Sequence, residues 1–340
     1  MKLTARSYHF IPLLMLCMAF AVNAQDIHFS QFYNAPLQLN PALAGVFQGD
    51  QRITTNFREQ WQTVPVPYTT FGVGYDQKIP LPLFGDGFLS GGILFVYDQS
   101  GDANLTWNQL GLSVAYTQPL SEQVFLSGGV QYQFGSRAFA PNQLTYAEQW
   151  NGDLFDPTIS VSEGFFSDNT SFSTLGAGIN LHLQLEGTRS KIDIGSGFFN
   201  INQPTISFLN EAQSKLLTRL NGYAIGTLQI HPLMDVRLLG MYHNQSPYQE
   251  TVVGTALRYH LSLQRSRAIS IQLGSSYRLG DAFIPHLEVQ YHSLLVGISY
   301  DINTSDFEVA TRQKGGPELS LQWIITKVKP VPVFKACPIY

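Results

Sequence analysis

Alternation constrains this chain more than any other feature. Along most of its length apolar and polar residues trade places at every step, the period of a β-strand whose two faces meet different surroundings. Val124, Leu126, Gly128, Val130, Tyr132 and Phe134 share one face of a run, and Phe125, Ser127, Gly129, Gln131, Gln133 and Gly135 share the other. Leu175, Ala177, Ile179, Leu181, Leu183 and Leu185 alternate in the same way with Gly176, Gly178, Asn180, His182, Gln184 and Glu186. Ile269, Ile271, Leu273 and Tyr277 oppose Ser270, Gln272, Gly274, Ser276 and Arg278, and Val253, Leu257, Tyr259 and Leu261 oppose Gly254, Ala256, Arg258 and His260. Sustained helical spacing is absent beyond the first residues of the chain.

Such alternation suits a sandwich or soluble barrel with a dry core, and equally a membrane barrel with a lipid-facing exterior. Composition narrows the choice: only 13% of the 340 residues are charged, against about 25% in ordinary soluble domains. The polar faces carry Gly, Ser, Gln and Asn rather than Lys and Glu, as a lumen does. The runs are also about 10 to 15 residues long, where globular strands average about 5 to 6. Aromatic residues (Tyr97, Tyr116, Phe134, Tyr259, Tyr277, Tyr300 and Trp323) stand at or near strand ends, where an interfacial girdle needs them. A net charge of -4 argues against nucleic acid, and two cysteines against a disulfide scaffold. The expected fold is therefore all-β, a transmembrane outer-membrane β-barrel of antiparallel strands.

Fourteen strands are predicted, near 50–60, 68–78, 88–98, 104–118, 122–136, 171–186, 190–200, 216–230, 233–243, 249–262, 267–279, 283–291, 293–302 and 317–328. An even number places both ends of the barrel on one side. If the first strand runs outward, the connections at 119–121, 187–189, 231–232 and 263–266 face the periplasm and are short, while those at 137–170, 201–215 and 303–316 face outward and are long. That asymmetry is expected of outer-membrane barrels. The inner connection 79–87, apolar from Ile79 to Phe84, is an exception and reads as a packed turn.

Export is expected from the N-terminus. Lys2 and Arg6 precede an apolar run from Phe10 to Val22, and Val22-Asn23-Ala24 offers a cleavage site after Ala24. Removal of residues 1–24 takes Cys17 with it and leaves Cys337 as the one cysteine. The expected organisation is a signal peptide (1–24), a periplasmic N-terminal lead-in (25–49), the barrel (50–328) and a periplasmic C-terminal tail (329–340).

Both ends of the mature chain carry distinctive motifs. The first is Gln25-Asp26-Ile27-His28-Phe29-Ser30-Gln31-Phe32-Tyr33, followed by Pro36-Leu37 and by Asn40-Pro41-Ala42-Leu43-Ala44-Gly45. Arg58-Glu59-Gln60-Trp61 closes the first strand; Ser299-Tyr300-Asp301-Ile302-Asn303 and Gly315-Gly316-Pro317-Glu318-Leu319-Ser320-Leu321 lie near the end, and Cys337-Pro338-Ile339-Tyr340 finishes the chain. Together these resemble the PorP/SprF family of the type IX secretion system, found in gliding and secreting Bacteroidetes. Ile339 stands where that family commonly has a basic residue. The resemblance implies an outer-membrane barrel working with type IX components, among them a periplasmic peptidoglycan-binding protein, or paired with a large secreted adhesin-like substrate. It implies neither enzyme activity nor a cofactor.

Candidate partner contacts follow. Phe29, Ser30, Gln31, Asn40, Pro41 and Gly45 lie in a segment that either plugs the lumen or docks a periplasmic partner, or else is a lead-in whose Asn40-Pro41 turn and Gly45 close the barrel floor. Trp150 and Phe155, with Phe165 and Phe166, mark the long outer connection as an extracellular contact or as a loop packed into the lumen. Cys337, in a tail with Lys329 and Lys335, is a modification site or a passive thiol. His182, His260 and His286 fall on the polar face, and His286-x-Glu288 offers two ligands without a third, so lumen polarity rather than metal is the reading. Gly72-x-Gly74, Gly176-x-Gly178 and Gly195-x-Gly197 lack the third glycine of a phosphate loop and read as strand glycines. No nucleophile elbow occurs. The leading expectation is a secretion accessory barrel; the rivals are a channel for small or hydrophobic solutes and a lumen hydrolase.

Overall fold

A computed structural model describes residues 27–60, 68–79, 81, 85–101, 103–159, 167–209, 214–264, 267–305 and 314–326. The leader with its cleavage site after Ala24, Gln25, Asp26, Trp61, Phe165, Phe166 and the tail bearing Cys337 lie outside the described residues.

The strands are β1 (Gln51–Gln60), β2 (Tyr68–Ile79), β3 (Phe88–Ser100), β4 (Leu105–Pro119), β5 (Val124–Ala138), β6 (Asn169–Gln184) and β7 (Lys191–Phe199), then β8 (Arg219–His231), β9 (Met234–Gln245), β10 (Tyr248–Ser262), β11 (Ile269–Arg278), β12 (Ala282–Tyr291), β13 (Leu294–Asn303) and β14 (Lys314–Ile325). Each pairs antiparallel with its sequence neighbours, and β1 pairs with β14 to close the barrel. Closure leaves no sheet edge, so every strand finds its hydrogen-bond partners within the wall. Among the described residues no helix is long and apolar enough to cross a membrane.

Period two sorts the side chains as the alternation requires. Leu112, Val130, Leu175 and Leu273 point outward and are half exposed or more, and so do Phe134, Tyr259, Tyr277, Tyr300 and Trp323. Ser113, Gln131, Thr174 and Gln272, one position away from each of those four, are buried in the lumen. Lipid covers such an exterior. Leu273, mid-strand in β11 and 66% exposed, gives a direct check: Leu273→Arg should cost about 2–4 kcal/mol of barrel stability in urea titrations in lipid. No loss of stability from Leu273→Arg would be inconsistent with a lipid-facing Leu273. Ile79 and Leu81, expected in a packed turn, are 39% and 49% exposed, so these two residues are not packed.

The barrel is filled. Residues 27–49, expected as a periplasmic lead-in, instead run through the lumen. Their buried side chains touch strands all around the wall, and the segment emerges beside the start of β1, where the amide of Asp50 donates to the carbonyl of Ile325 (2.9 Å). The lumen accepts it because its lining is not uniformly polar. Phe32, Leu39 and Leu43 pack on lumen-facing Tyr223, Leu239, Met241 and Val252, and Leu37 joins Leu94, Val96 and Ala115. Burial of that apolar surface is worth roughly 1.5–3 kcal/mol for each large side chain.

Candidate functional site

The segment folds as a chain of tight turns because of where its prolines and its asparagine fall. A 3-10 turn at Phe32–Asn34 is followed by one α-helical turn at Pro36–Leu39 and a second 3-10 turn at Pro41–Leu43. Pro36 and Pro41 each open a turn, where a missing N–H costs nothing. Asn40 is extended between them, and its Oδ1 accepts from the amide of Ala42 at 2.9 Å. Its Nδ2 donates to the Ile179 carbonyl and the Tyr223 hydroxyl, both at 2.9 Å. Tyr223 passes the network on by donating to Asn180 Oδ1 at 2.9 Å. Asn40 is wholly buried, and this chain of bonds is what permits it.

Two ionic clamps hold the segment. The first gathers the motifs from both ends of the sequence. Register sets Arg58 opposite Glu318 and Glu318 opposite Ser299. The amides of Ser30 and Gln31 donate to the two Glu318 carboxylate oxygens at 2.7 and 2.9 Å. Ser30 Oγ donates to Asp301 at 2.9 Å and accepts from Arg278 Nη2 at 2.6 Å. Asp301 also receives Arg58 Nη2 at 2.7 Å and Arg278 Nη2 at 2.9 Å. Arg58 Nη1 donates to the carbonyl of His28 at 2.9 Å, and Gln31 Nε2 to Ser299 Oγ at 3.1 Å. Arg58 and Asp301 are each 1% exposed, so these charges interact in a low dielectric, where a missing partner is costly. His28 Nε2 lies 3.0 Å from the Glu250 carboxylate.

The second clamp lies at the opposite end of the segment. Arg52 holds Asp76 in a bidentate pair, with both contacts at 2.9 Å, and donates to the Leu43 carbonyl at 2.9 Å. The amide of Gly45 donates to the same Asp76 carboxylate at 2.8 Å. Gly45 has φ of +76°, and a Cβ there would lie 2.0 Å from Ser90 Oγ, so glycine is required by conformation and by space. Between the clamps the wall thins to admit the chain. A Cβ on Gly129 would fall 2.6 Å from the amide nitrogen of Ala42 and 2.7 Å from the Pro41 carbonyl. Gly129, and Gly197 whose Cβ would lie 2.7 Å from the Leu39 carbonyl oxygen, thus have a structural use, the close approach of a second backbone.

Of the sequence-derived contacts, Phe29, Ser30, Gln31, Asn40, Pro41 and Gly45 are together, buried inside the lumen. A partner reaches them only if the segment leaves. Trp150 and Phe155 lie apart, in the connection between β5 and β6, facing each other across an isolated antiparallel bridge. The Asn151 side chain caps this small hairpin by accepting from the amides of Asp153 and Leu154 at 3.0 and 2.9 Å. Trp150, Leu154 and Phe155 are exposed at 57%, 70% and 46%, so this described part of the loop is not folded into the lumen. Hydrogen bonds from Thr158 hold the neighbouring Asp156 carboxyl below its ordinary value.

His182, His260 and His286 do face the lumen. His182 Nδ1 lies 2.8 Å from Asp193 and His260 Nε2 2.7 Å from Asp235. Glu288 is taken up by Asn34 (3.0 Å), Gln272 (2.7 Å) and Arg237 (3.1 Å). Among the described residues, no group of three or more His, Cys, Asp or Glu is placed to hold a metal. Motif reading missed Arg278, Arg219 and Asn221 as anchors of the segment. The last two reach the carbonyls of Gln38 and Leu39 at 3.2 and 3.0 Å. All three are polar residues on the inward face, a signal that marks the lumen but not the opposing residue.

Comparison with known proteins agrees with this architecture. No curated protein matches the chain. Among solved structures it is similar to a Pseudomonas aeruginosa FadL homologue, with 10% identity and a TM-score of 0.50 over 83% of this chain and 91% of that one. It is also similar to the Pseudomonas putida toluene transporter TodX, with 10% identity and a TM-score of 0.48 over 85% and 92%. BamA from Haemophilus ducreyi, lacking POTRA domains 1–3, gives 8% identity and a TM-score of 0.42 over 81% and 71%. At such identities the likeness is one of fold, that of outer-membrane barrels. The family model described as type IX secretion system membrane protein PorP/SprF matches residues 21–323. The chain, an outer-membrane barrel of fourteen strands closed around its own N-terminal segment, belongs to the PorP/SprF family of type IX secretion system membrane proteins.

Proposed function

We propose that this protein is a non-enzymatic accessory barrel of the type IX secretion system, exported by cleavage after Ala24. In this reading it couples periplasmic machinery, including a peptidoglycan-binding component, to export or surface retention of a large adhesin-like protein. One observation supports this over a passive channel: Ser30, Gln31, Arg58, Asp301 and Glu318, from motifs at both ends of the chain, are spent on holding a segment inside the lumen. A segment held this way obstructs an open, passive pore. Contacts with partners then fall on the mouths of the barrel, and Trp150 with Phe155 offers the exposed aromatic pair that protein interfaces use.

Affinity purification of the tagged barrel from native outer membranes, with mass spectrometry of what accompanies it, tests the reading. Type IX components or one large secreted protein should be recovered. Purified in planar bilayers, the same barrel should pass little current. A barrel recovered alone that conducts steadily would instead favour a channel for small or hydrophobic solutes. Replacing Trp150 and Phe155 together by Ala should weaken capture of the surface partner by about tenfold or more, the loss of a central aromatic contact worth about 2 kcal/mol. Undiminished recovery would take the hairpin out of the interface.

A further inference from the structure

The segment does not reach every part of the lumen. At the end of the barrel that carries the short connections, Lys191 of β7 and Arg258 of β10, with Arg189 just before β7, mark a vestibule where side chains keep part of their surface accessible. Arg189, before β7, is 31% exposed, Arg258 17%, and Lys191 is exposed. Register sets Lys191 beside Thr227, Thr227 beside Arg237, and Asp235 beside Arg258, so the cations lie across neighbouring strands on one inward face.

The carboxylates of this region are already committed. Asp235 is held bidentately by Arg189, at 2.8 to 3.1 Å, and by His260 at 2.7 Å. Asp193 receives His182 at 2.8 Å and Asn180 at 3.3 Å. Glu288 serves Arg237, Gln272 and Asn34 and has only a 3.6 Å approach left for Arg258. Lys191 makes no hydrogen bond or ion pair with the described residues. An ammonium with spare donors thus sits in a recess with low-dielectric walls, which focus the field of its charges. On the neighbouring strands Phe125 packs on the ring of His182, with centroids 5.9 Å apart.

We propose that this vestibule is an oxyanion-binding site, with Lys191 as its first contact and Arg258 as its second, taking a carboxylate or phosphate presented at the short-loop mouth. An acidic peptide and free phosphate share that chemistry, and the experiment separates them.

The full chain, refolded in detergent or nanodiscs, is titrated with a fluorescein-labelled oligo-glutamate peptide, its oligo-glutamine counterpart and, in separate runs, inorganic phosphate. Heat-modifiable migration verifies folding of each variant. The glutamate peptide should bind, the glutamine peptide should not, and affinity should fall as salt rises from about 50 to about 300 mM. Lys191→Gln should weaken binding by about tenfold, the loss of one charge-assisted contact, and Lys191→Glu should abolish it. Binding of the peptide without competition from phosphate assigns the site to a protein carboxylate. Binding of phosphate alone, lost equally in Lys191→Gln, assigns it to a free anion. Absence of both, or binding that Lys191→Gln and Lys191→Glu leave intact, overturns the site.

Discussion

Asp301→Ala should loosen the N-terminal segment from the lumen at a cost of about 3–5 kcal/mol, the penalty for breaking a buried ion pair from one side. Asp301 joins Arg58 (2.7 Å), Arg278 (2.9 Å) and the hydroxyl of Ser30 (2.9 Å). Without it two buried guanidinium groups face each other over the space it leaves. Arg278 keeps Asp281 at 2.8 Å and Glu250 at 3.6 Å, and Arg58 keeps Glu318 at 3.8 Å and the His28 carbonyl at 2.9 Å. Asp301→Asn, which retains shape and one acceptor, should cost less. Proteolysis of residues 27–45 in the purified barrel reads the effect directly, since cleavage there needs the segment to come out. Protection equal to wild type in Asp301→Ala would show that the clamp does not hold it.

Gly129→Val should displace the same segment with the wall intact. Valine favours strands, so β5 itself tolerates the change. Its Cβ, though, would sit within 2.7 Å of the backbone of Pro41 and Ala42, and a backbone cannot rotate aside as a side chain can. Overpacking of this kind costs about 1–3 kcal/mol, charged here to the seating of the segment. The variant barrel should still migrate as a folded species yet show raised current in planar bilayers. Gly128 supplies the control from one position away: it faces outward, and nothing lies within 4 Å of a Cβ placed there. Gly128→Val should leave the current unchanged. Equal behaviour of the two variants would contradict the placement of residues 40–42 against β5.

The two experiments separate electrostatic from steric anchoring. The first removes a charge at one end of the segment, and the second takes space from its middle. If both open the lumen, the segment is seated as one cooperative unit. If only Gly129→Val does so, the apolar packing of Leu37, Leu39 and Phe32 outweighs the clamp.

Much of this was legible before any fold was known. Period-two alternation reports, residue by residue, that a strand has two different sides, and that is local information. It was enough to place fourteen strands with ends within three residues of those observed, β8 beginning at Arg219 rather than 216 and β14 ending at Ile325 rather than 328. It also separated Leu181 from His182 and Leu273 from Gln272 as outward and inward. The motifs at the two ends resembled one family, and the match over residues 21–323 bears that out.

What local pattern could not carry is which inward faces meet across the lumen. Ser30 and Glu318 lie 288 positions apart, and Arg58 and Asp301 lie 243 apart. They become neighbours only when β14 closes on β1, a step that depends on the whole sheet's count and curvature. For the same reason residues 25–49 could be read as a lead-in or as a plug: their prolines and Asn40 dictate turns, and turns look alike in a periplasmic loop and in a stopper. Alternation and end motifs were thus determined by the sequence itself, through forces acting between adjacent residues and their solvent. The place of the N-terminal segment, its clamps and the open cationic vestibule were decided only by closure of the barrel, which brings distant inward faces within hydrogen-bonding distance.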